Sequence, residues 1–344
     1  MKIWIDLANS PQVLFFKPII NNFLLQDHDV EITTRSYAQT TQLADYLGIR
    51  HSTVGRHGGK RFAGLIQENF LRAGRLVEWA RSRDFDLAVS HNSYSQVVAA
   101  RLLKIPSVTL MDYEHQPLNH LAFRLANKVI VPEVFPGELL KRYGAGKRFL
   151  TYPGIKEQVY LAGFKPTPNY RSQQGFPPDT PLVVIRPPAT WTAYHRFNND
   201  LFDELVGSVA RKLDRYVLFL PRIAGQAENV KGIQGVHVAD QVYDGPNLLY
   251  CADVVISGGG TMNRESAVLG TPTYTVFKGK PCAVDGYLIM TGRLSQISEI
   301  REIPGIKIEM KYQKVEELQR PGLVRQVTDL ILNGTSGCPG TDYS

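Results

Sequence analysis

The sequence predicts an α/β protein of two open domains, and three observations carry that prediction. Short apolar runs of strand length alternate with helix-like stretches through both halves, the pattern of parallel sheets covered by helices. The alternation starts anew after a Pro-, Gly- and polar-rich stretch at residues 163–180, which reads as a linker. At 344 residues the chain also exceeds the size at which single cores usually stop growing. The expected layout is an N-terminal domain over 1–162, the linker, a C-terminal domain over 181–332 and a disordered tail over 333–344, NGTSGCPGTDYS.

Each element follows from local pattern. In the first half the expected strands are Lys2–Asp6, Val30–Thr34, Leu87–Ser90, Ser107–Met111 and Lys128–Val131, all short and rich in Val, Ile and Leu. Between them lie helices near Gln39–Leu47, Ala63–Arg81 and Tyr94–Leu103. The first helix opens at Asn9-Ser10-Pro11: Asn or Ser can cap it, with Pro at an early helical position. The same exposed N–H groups could instead bind an acceptor's phosphate or hydroxyl. In the second half the expected strands are Leu182–Arg186, Tyr216–Pro221, Val236–Val238, Val254–Ile256 and Thr273–Phe277.

The richest window is ADVVISGGGTMNRESAVLGTPTYTVF, residues 252–277. A strand-like run is followed at once by Ser257-Gly258-Gly259-Gly260-Thr261 and then by a helix-like segment. A glycine turn between a strand and a helix N-terminus exposes backbone N–H groups and the positive end of the helix dipole, which suits a phosphate. Glu265, about one helical turn further on, can accept hydrogen bonds from ribose hydroxyls or simply complement the dipole. Neither G-x-G-x-x-G nor G-x-x-x-x-G-K-[ST] occurs here, so dehydrogenase and ATPase readings gain no motif. The bland alternative is a tight turn whose glycines only permit close packing.

Open α/β sheets bind ligands beyond the carboxyl ends of their strands, and polar clusters follow the strand candidates. They are Asp6 with Asn9 and Ser10, His91-Asn92-Ser93, Asp112 with Glu114 and His115, Arg186 before Pro187-Pro188, and Arg222 after Leu220-Pro221. Arg186 and Arg222 can neutralise a departing diphosphate or serve as structural ion-pair partners. Asp112, Glu114 and His115 can supply a base for a hydroxyl, with Asp6 and His91 as further options, or an acidic loop that caps helices. In an extended segment Asp112 and Glu114 share a face, which favours one of them as base with His115 orienting a partner. Thr190, Trp191, Tyr194 and His195 form an aromatic loop able to stack on a ring. Asp285 suits a sugar hydroxyl, and Asp240 and Asp244 a base-recognition loop.

Composition narrows the class. Hydrophobic residues make up 43% and charged residues 21%, ordinary for a soluble globular protein. No apolar run approaches the roughly 18–20 residues that cross a bilayer, and the start of the chain lacks a signal-peptide layout. Cys251, Cys282 and Cys338 are unpaired in spacing, which argues against zinc or a disulfide framework and fits a cytoplasmic protein. The net charge is +7, and residues 50–83 hold eight basic against two acidic side chains. Within that stretch Phe62, Ile66, Phe70, Ala73, Val77 and Ala80 recur at helical spacing. Such a basic amphipathic helix suits a phosphorylated or lipid-linked acceptor, or peripheral contact with an anionic membrane. Nucleic acid is not expected, for no binding motif accompanies the charge.

The segments MKIWIDLANSPQVLFFKPII, LMDYEHQP, RPPAT, LPR and SGGGTMNRESAVLGTPTYTVF together resemble the DUF354 family, from Met1 to about residue 330. More distantly, the glycine turn with Glu265 looks like the donor site of GT-B glycosyltransferases and of UDP-N-acetylglucosamine 2-epimerases. That resemblance implies two Rossmann-like domains facing across a cleft (GT-B architecture), a nucleotide-sugar substrate, and neither metal nor separate cofactor. It implies donor contacts at Arg186, Arg222, Ser257, Gly258, Gly259, Gly260, Thr261 and Glu265. A base comes from Asp112, Glu114 or His115, and acceptor contacts from Asn9, Ser10, His91 and Asn92. The expected activity is sugar transfer from a nucleotide-diphosphate donor. The alternatives are 2-epimerisation of the sugar and non-catalytic binding of a sugar nucleotide.

Overall fold

The computed structural model describes residues 1–37, 39–56, 62–188, 200–211, 214–222, 224–277, 279–311, 320 and 322–333. Its strands are β1 (Lys2–Leu7), β2 (Asp29–Ser36), β3 (Ser52–Arg56), β4 (Leu87–His91), β5 (Ser107–Leu110), β6 (Lys128–Pro132), β7 (Phe149–Tyr152), β8 (Leu182–Arg186), β9 (Tyr216–Phe219), β10 (Val236–Val238), β11 (Val254–Ser257), β12 (Thr273–Thr275) and β13 (Ser295–Gln296). The helices are α1 (Ser10–Leu25), α2 (Thr40–Tyr46), α3 (Phe62–Ala80), α4 (Tyr94–Leu103), α5 (Asn119–Leu125), α6 (Gly137–Arg142), α7 (Lys156–Leu161), α8 (Tyr170–Gln173), α9 (Asp200–Ala210), α10 (Ala224–Glu228), α11 (Gly245–Cys251), α12 (Gly260–Val268), α13 (Ala283–Met290) and α14 (Leu323–Asn333).

Two compact units result. Unit 1 comprises residues 1–162 and 320–344, and unit 2 residues 163–319. Unit 1 is built on a seven-stranded sheet ordered β3-β2-β1-β4-β5-β6-β7, and unit 2 on a six-stranded sheet ordered β10-β9-β8-β11-β12-β13. Every pairing is parallel, as expected where helices connect consecutive strands. The strand order reverses between β1 and β4 in unit 1 and between β8 and β11 in unit 2, and such reversals open the crevice in which α/β sheets hold ligands.

Burial explains the elements. Central strands are buried on both faces, as in Leu182–Ile185 and Val254–Ser257. In unit 1, Ile3, Ile5 and Leu7 pack beneath Val13, Phe15, Phe16 and Ile19 of α1, all fully buried. In unit 2, Val183, Ile185, Val254 and Ile256 pack against Leu205 and Val206 of α9.

Three expectations change. Residues 320–332 were assigned to the C-terminal domain, yet Leu323, Val327 and Ile331 of α14 join the core of unit 1. Their spacing of four presents one apolar stripe, which α1 and α7 cover. The 163–180 stretch is packed structure of unit 2. Arg171 donates to Asp253 at 3.0 Å, and Phe176, 3% exposed, lies against Tyr216 and Tyr243. The tail beyond Asn333 lies outside the described residues. Finally, the buried side of α3 runs through Arg72, Ala73, Leu76 and Ala80, while Phe70 is 57% exposed.

Arg72 accounts for that rotation. Its guanidinium makes a two-pronged contact with Asp6, Nη1 to Oδ2 at 2.8 Å and Nη2 to Oδ1 at 2.7 Å. Thr33 and Ser93 donate to the same carboxylate. The basic excess of residues 50–83 is therefore partly internal. Arg72 is buried, and Arg83 pairs with Glu31 at 3.2 Å and lies over the Trp79 ring. Among the described residues, no helix is long and apolar enough to cross a membrane.

Candidate functional site

In unit 2 the expected donor residues collect at the strand-order reversal. Arg186 ends β8 and is the register partner of Ser257, which ends β11. The Gly258 N–H donates to the Arg186 carbonyl at 3.1 Å, and the Ser257 hydroxyl accepts from Gly259 N–H at 3.0 Å. Gly259 then caps α12, with Gly260 and Thr261 as its first two residues.

The glycines at 258 and 259 answer to close approach, since neither has a positive φ. A Cβ at Gly258 would lie 2.7–2.8 Å from the Pro188 ring and Cα, which backbone cannot yield cheaply. At Gly259 it would lie 2.5 Å from Arg222 Nη2. The turn is thus pressed against the segment after β8 and roofed by a guanidinium. Gly260 is looser, with only Arg264 at 3.5 Å.

Arg222 is fixed by its Nε–H, donated to the Pro187 carbonyl at 2.9 Å. Burial and the neighbouring Arg186 cation push it down to about 10, so it remains charged at neutral pH. Burial lowers Arg186 as well, opposed by the Glu265 carboxylate. The buried Arg186 Nε has no hydrogen-bond partner among the described residues. Two like charges are thus held near one another, with the Glu265 carboxylate within electrostatic reach of Arg186, beside the positive end of the α12 dipole.

Sequence reasoning missed Asn263 here. It is 2% exposed, donates to the Ser257 carbonyl at 3.3 Å, and keeps a buried Oδ1 without a partner among the described residues. Its place in the first turn after the glycines was the available signal. Other expectations resolve as structure. Asp285 takes Arg264 Nε at 2.7 Å and Nη2 at 3.2 Å. Asp244 caps α11 by accepting from Asn247 N–H at 3.2 Å. Thr190, Trp191, Tyr194 and His195 lie outside the described residues.

In unit 1 the expected acceptor-side residues flank the other strand-order reversal, Asn9 and Ser10 after β1 and His91 and Asn92 at the end of β4. Asn9 precedes α1, but Gln12 does the capping: its Oε1 accepts from the Ala8 and Asn9 N–H groups. The Gln12 amide in turn donates to the His91 carbonyl, tying the two strand ends together. Asn9 Oδ1 is left buried without a partner among the described residues. Asn92 stands at φ +61°, a strained conformation for a non-glycine residue of the kind found at functional sites.

Asp112 and Glu114 are 5% and 4% exposed. The chain turns at 114–115, and Tyr113 and His115, both half-buried, bring their ring centroids within 5.4 Å of each other. Glu114 Oε1 lies 3.6 Å from His115 Nε2, and Asp112 Oδ1 lies 3.4 Å from His91 Nε2. Lys156, unmarked by any sequence motif, brings Nζ within 2.7 Å of Asp112 Oδ2. The buried Glu157 follows, 3.7 Å from the same ammonium.

Both units thus carry polar clusters at their strand-order reversals, and this is the GT-B fold of two Rossmann-like domains. The chain belongs to the family described as "Protein of unknown function (DUF354)", which matches residues 1–336. An uncharacterised protein of Methanocaldococcus jannaschii is 28% identical over 311 residues, 88% of this chain and 89% of that protein. Among solved structures, the UDP-GlcNAc 2-epimerase of Neisseria meningitidis bound to UDP-GlcNAc superposes with a TM-score of 0.68 at 13% identity, covering 97% of this chain and 100% of that one. The spinosyn forosaminyltransferase SpnP gives 0.62 at 13% identity, covering 97% and 94%.

Proposed function

We propose that the protein is a nucleotide-sugar glycosyltransferase, with the donor diphosphate held in unit 2 and the acceptor served by unit 1. The carrying observation is the pair Arg186, half-buried, and Arg222, exposed, two guanidinium groups beside the glycine turn and outside any ion pair among the described residues. Two guanidinium groups beside a helix N-terminus suit the two negative charges of a diphosphate. In the reaction the diphosphate leaves C1 of the sugar with the bonding pair, and the two arginines with the α12 N-terminus take up that charge. Glu265, within electrostatic reach of Arg186, faces a ribose hydroxyl. A second reading, 2-epimerisation, is favoured by the density of His91, Asp112, Glu114 and Lys156 in unit 1.

Incubation with UDP-, GDP-, CMP- and dTDP-sugars tests both readings. The expected result is saturable binding of one donor and acceptor-dependent release of its nucleotide. Isomerised sugar without release would favour the epimerase. Saturable binding with neither outcome would leave a non-catalytic sugar-nucleotide binder, and no binding at all would end the donor assignment.

We infer further that the acceptor is anionic and lipid-borne. Phe70 and Leu71 of α3 are 57% and 48% exposed, with the exposed Arg75 one turn beyond Leu71. Apolar side chains beside a cation suit an anionic lipid surface. The protein is expected to float with phosphatidylserine vesicles and its Phe70→Asp/Leu71→Asp variant to stay in solution. Equal flotation of the two would overturn the inference.

A further inference from the structure

No sequence motif marks Arg35, a half-buried residue near the end of β2. Its Nε–H donates to the Ala8 carbonyl at 3.1 Å, which fixes the guanidinium beside the segment between β1 and α1. The N–H groups on Nη1 and Nη2 donate to no described residue, and neither nitrogen is buried. A pinned side chain therefore turns the rest of its rigid donor fork to solvent. The carboxylate that acts on Arg35 is Asp6, and both of its oxygens are already held by Arg72. Burial, then the Arg72 cation, pushes the Arg35 guanidinium down to about 10, so it stays charged at neutral pH.

Unit 2 holds Arg222 in the same way. In the sheet orders β2 lies beside β1 as β9 lies beside β8. Each arginine comes at or just beyond the end of the flanking strand and gives its Nε–H to the first carbonyl after the inner one. That carbonyl is Ala8 after β1 and Pro187, at 2.9 Å, after β8. The two units repeat one device.

The surroundings of Arg35 suit an anion. α1 has 16 residues and no acid in its first turn, so no side chain there offsets the positive end of its dipole. Ser10, its first residue, has its hydroxyl 3.5 Å from Thr40 Oγ1. Thr40 gives its own proton to the Tyr37 carbonyl at 2.6 Å, which leaves the Ser10 hydroxyl as a donor. The Tyr37 ring lies 5.4 Å from the guanidinium carbon, a contact with the face of the fork that leaves its in-plane N–H groups unused.

We propose that Arg35 and Ser10 form an anion site of unit 1 that takes the phosphate of a phosphate monoester. The guanidinium fork holds two of its oxygens and the Ser10 hydroxyl donates to a third. A planar carboxylate is filled by the fork alone, whereas a tetrahedral phosphate keeps an oxygen for the hydroxyl. On the transfer reading this phosphate belongs to the acceptor, but the binding itself does not depend on transfer.

The Arg35 Nε–H resonance, identified by its loss in Arg35→Lys, reads the site by NMR of the whole protein. Inorganic phosphate is expected to shift it saturably, and equally in wild type and in an Arg186→Ala/Arg222→Ala background that silences unit 2. Sodium chloride at matched ionic strength is expected to leave it in place. In that background Arg35→Gln is expected to weaken phosphate binding, followed by phosphorus NMR line width, by roughly ten-fold or more. Ser10→Ala is expected to weaken it several-fold at an unchanged unfolding midpoint. Glycerol phosphate and vesicles of phosphatidic acid in phosphatidylcholine separate a soluble ester from a lipid headgroup, and Arg35-dependent binding of either supports the site. A resonance that phosphate moves no more than chloride does overturns the proposal, even if Arg35→Gln does not fold. Binding here in a protein that turns over no nucleotide sugar keeps this site and removes the transfer reading alone.

Discussion

Replacement of Asp6 by alanine is expected to destabilise unit 1 by about 3–5 kcal/mol, the usual cost of breaking a buried ion pair by removing one partner. Asp6 and Arg72 are 0% and 1% exposed, so the substitution strands a guanidinium that no water can reach. Two further donors, Thr33 and Ser93, lose their acceptor with it. Urea unfolding followed by tryptophan fluorescence reads the effect, since Trp4 and Trp79 both stack on Phe85 in this unit. A double replacement, Asp6→Leu with Arg72→Met, is expected to be milder than Asp6→Ala, because it leaves no orphan charge. A cost for Asp6→Ala below about 1 kcal/mol, the range of exposed pairs, would show that Arg72 reaches solvent.

The same pair sets a pH dependence. Burial alone would raise the Asp6 carboxyl, but the Arg72 charge and the donated hydrogen bonds hold it below the usual carboxylate range. A depressed folded-state value means that the unfolded chain binds the proton more readily. The contribution is therefore fully present above about pH 4, the unfolded aspartate value, and is lost as pH falls further. Unfolding midpoints between pH 7 and pH 3 are expected to fall more steeply for wild type than for the double variant.

The central strands were legible in the sequence because a strand buried on both faces must be apolar throughout, as Leu182–Ile185 and Val254–Ile256 are. The strands that pattern alone did not mark, Ser52–Arg56, Phe149–Tyr152 and Ser295–Gln296, are all sheet edges. An edge is covered on fewer sides, so Ser52–Arg56 has no buried residue and its sequence carries no period. Chain order alone sets residues 320–332 with the C-terminal domain; the three buried side chains of α14 do not say which core receives them.

The candidate sites divide similarly. Arg186, the glycine turn, Asn9 and His91 lie at or just after strand ends, as their place behind apolar runs predicts, and the sheet order, which local pattern does not give, sets those ends at the strand-order reversals. Lys156 was invisible, since its meaning lies in Asp112, which is 44 residues away in sequence. Arg72 misled for the same reason: its charge counts towards a basic helix until Asp6 is seen beside it.

Removal of both Arg186 and Arg222 is expected to abolish nucleoside diphosphate binding in unit 2. A hydrogen bond to a charged group contributes roughly 1.5–3 kcal/mol, so each single alanine variant is expected to weaken binding by roughly ten- to a hundred-fold. Isothermal titration with the nucleoside diphosphate bound most tightly in the panel measures it, beside the corresponding nucleoside, whose affinity neither variant should alter strongly. Gly259→Asp is the sharper probe. Its new Cβ would lie 2.5 Å from Arg222 Nη2, so the added carboxylate would take the guanidinium for itself and fill the place of the phosphate. Gly259→Ala adds the same crowding without the charge. A turn that served packing alone would respond to the two glycine variants alike, through stability, and would leave diphosphate affinity indifferent to both arginines. A phosphate cradle requires the aspartate to be far worse than the alanine for binding, at similar unfolding midpoints, and to resemble the loss of Arg222 itself.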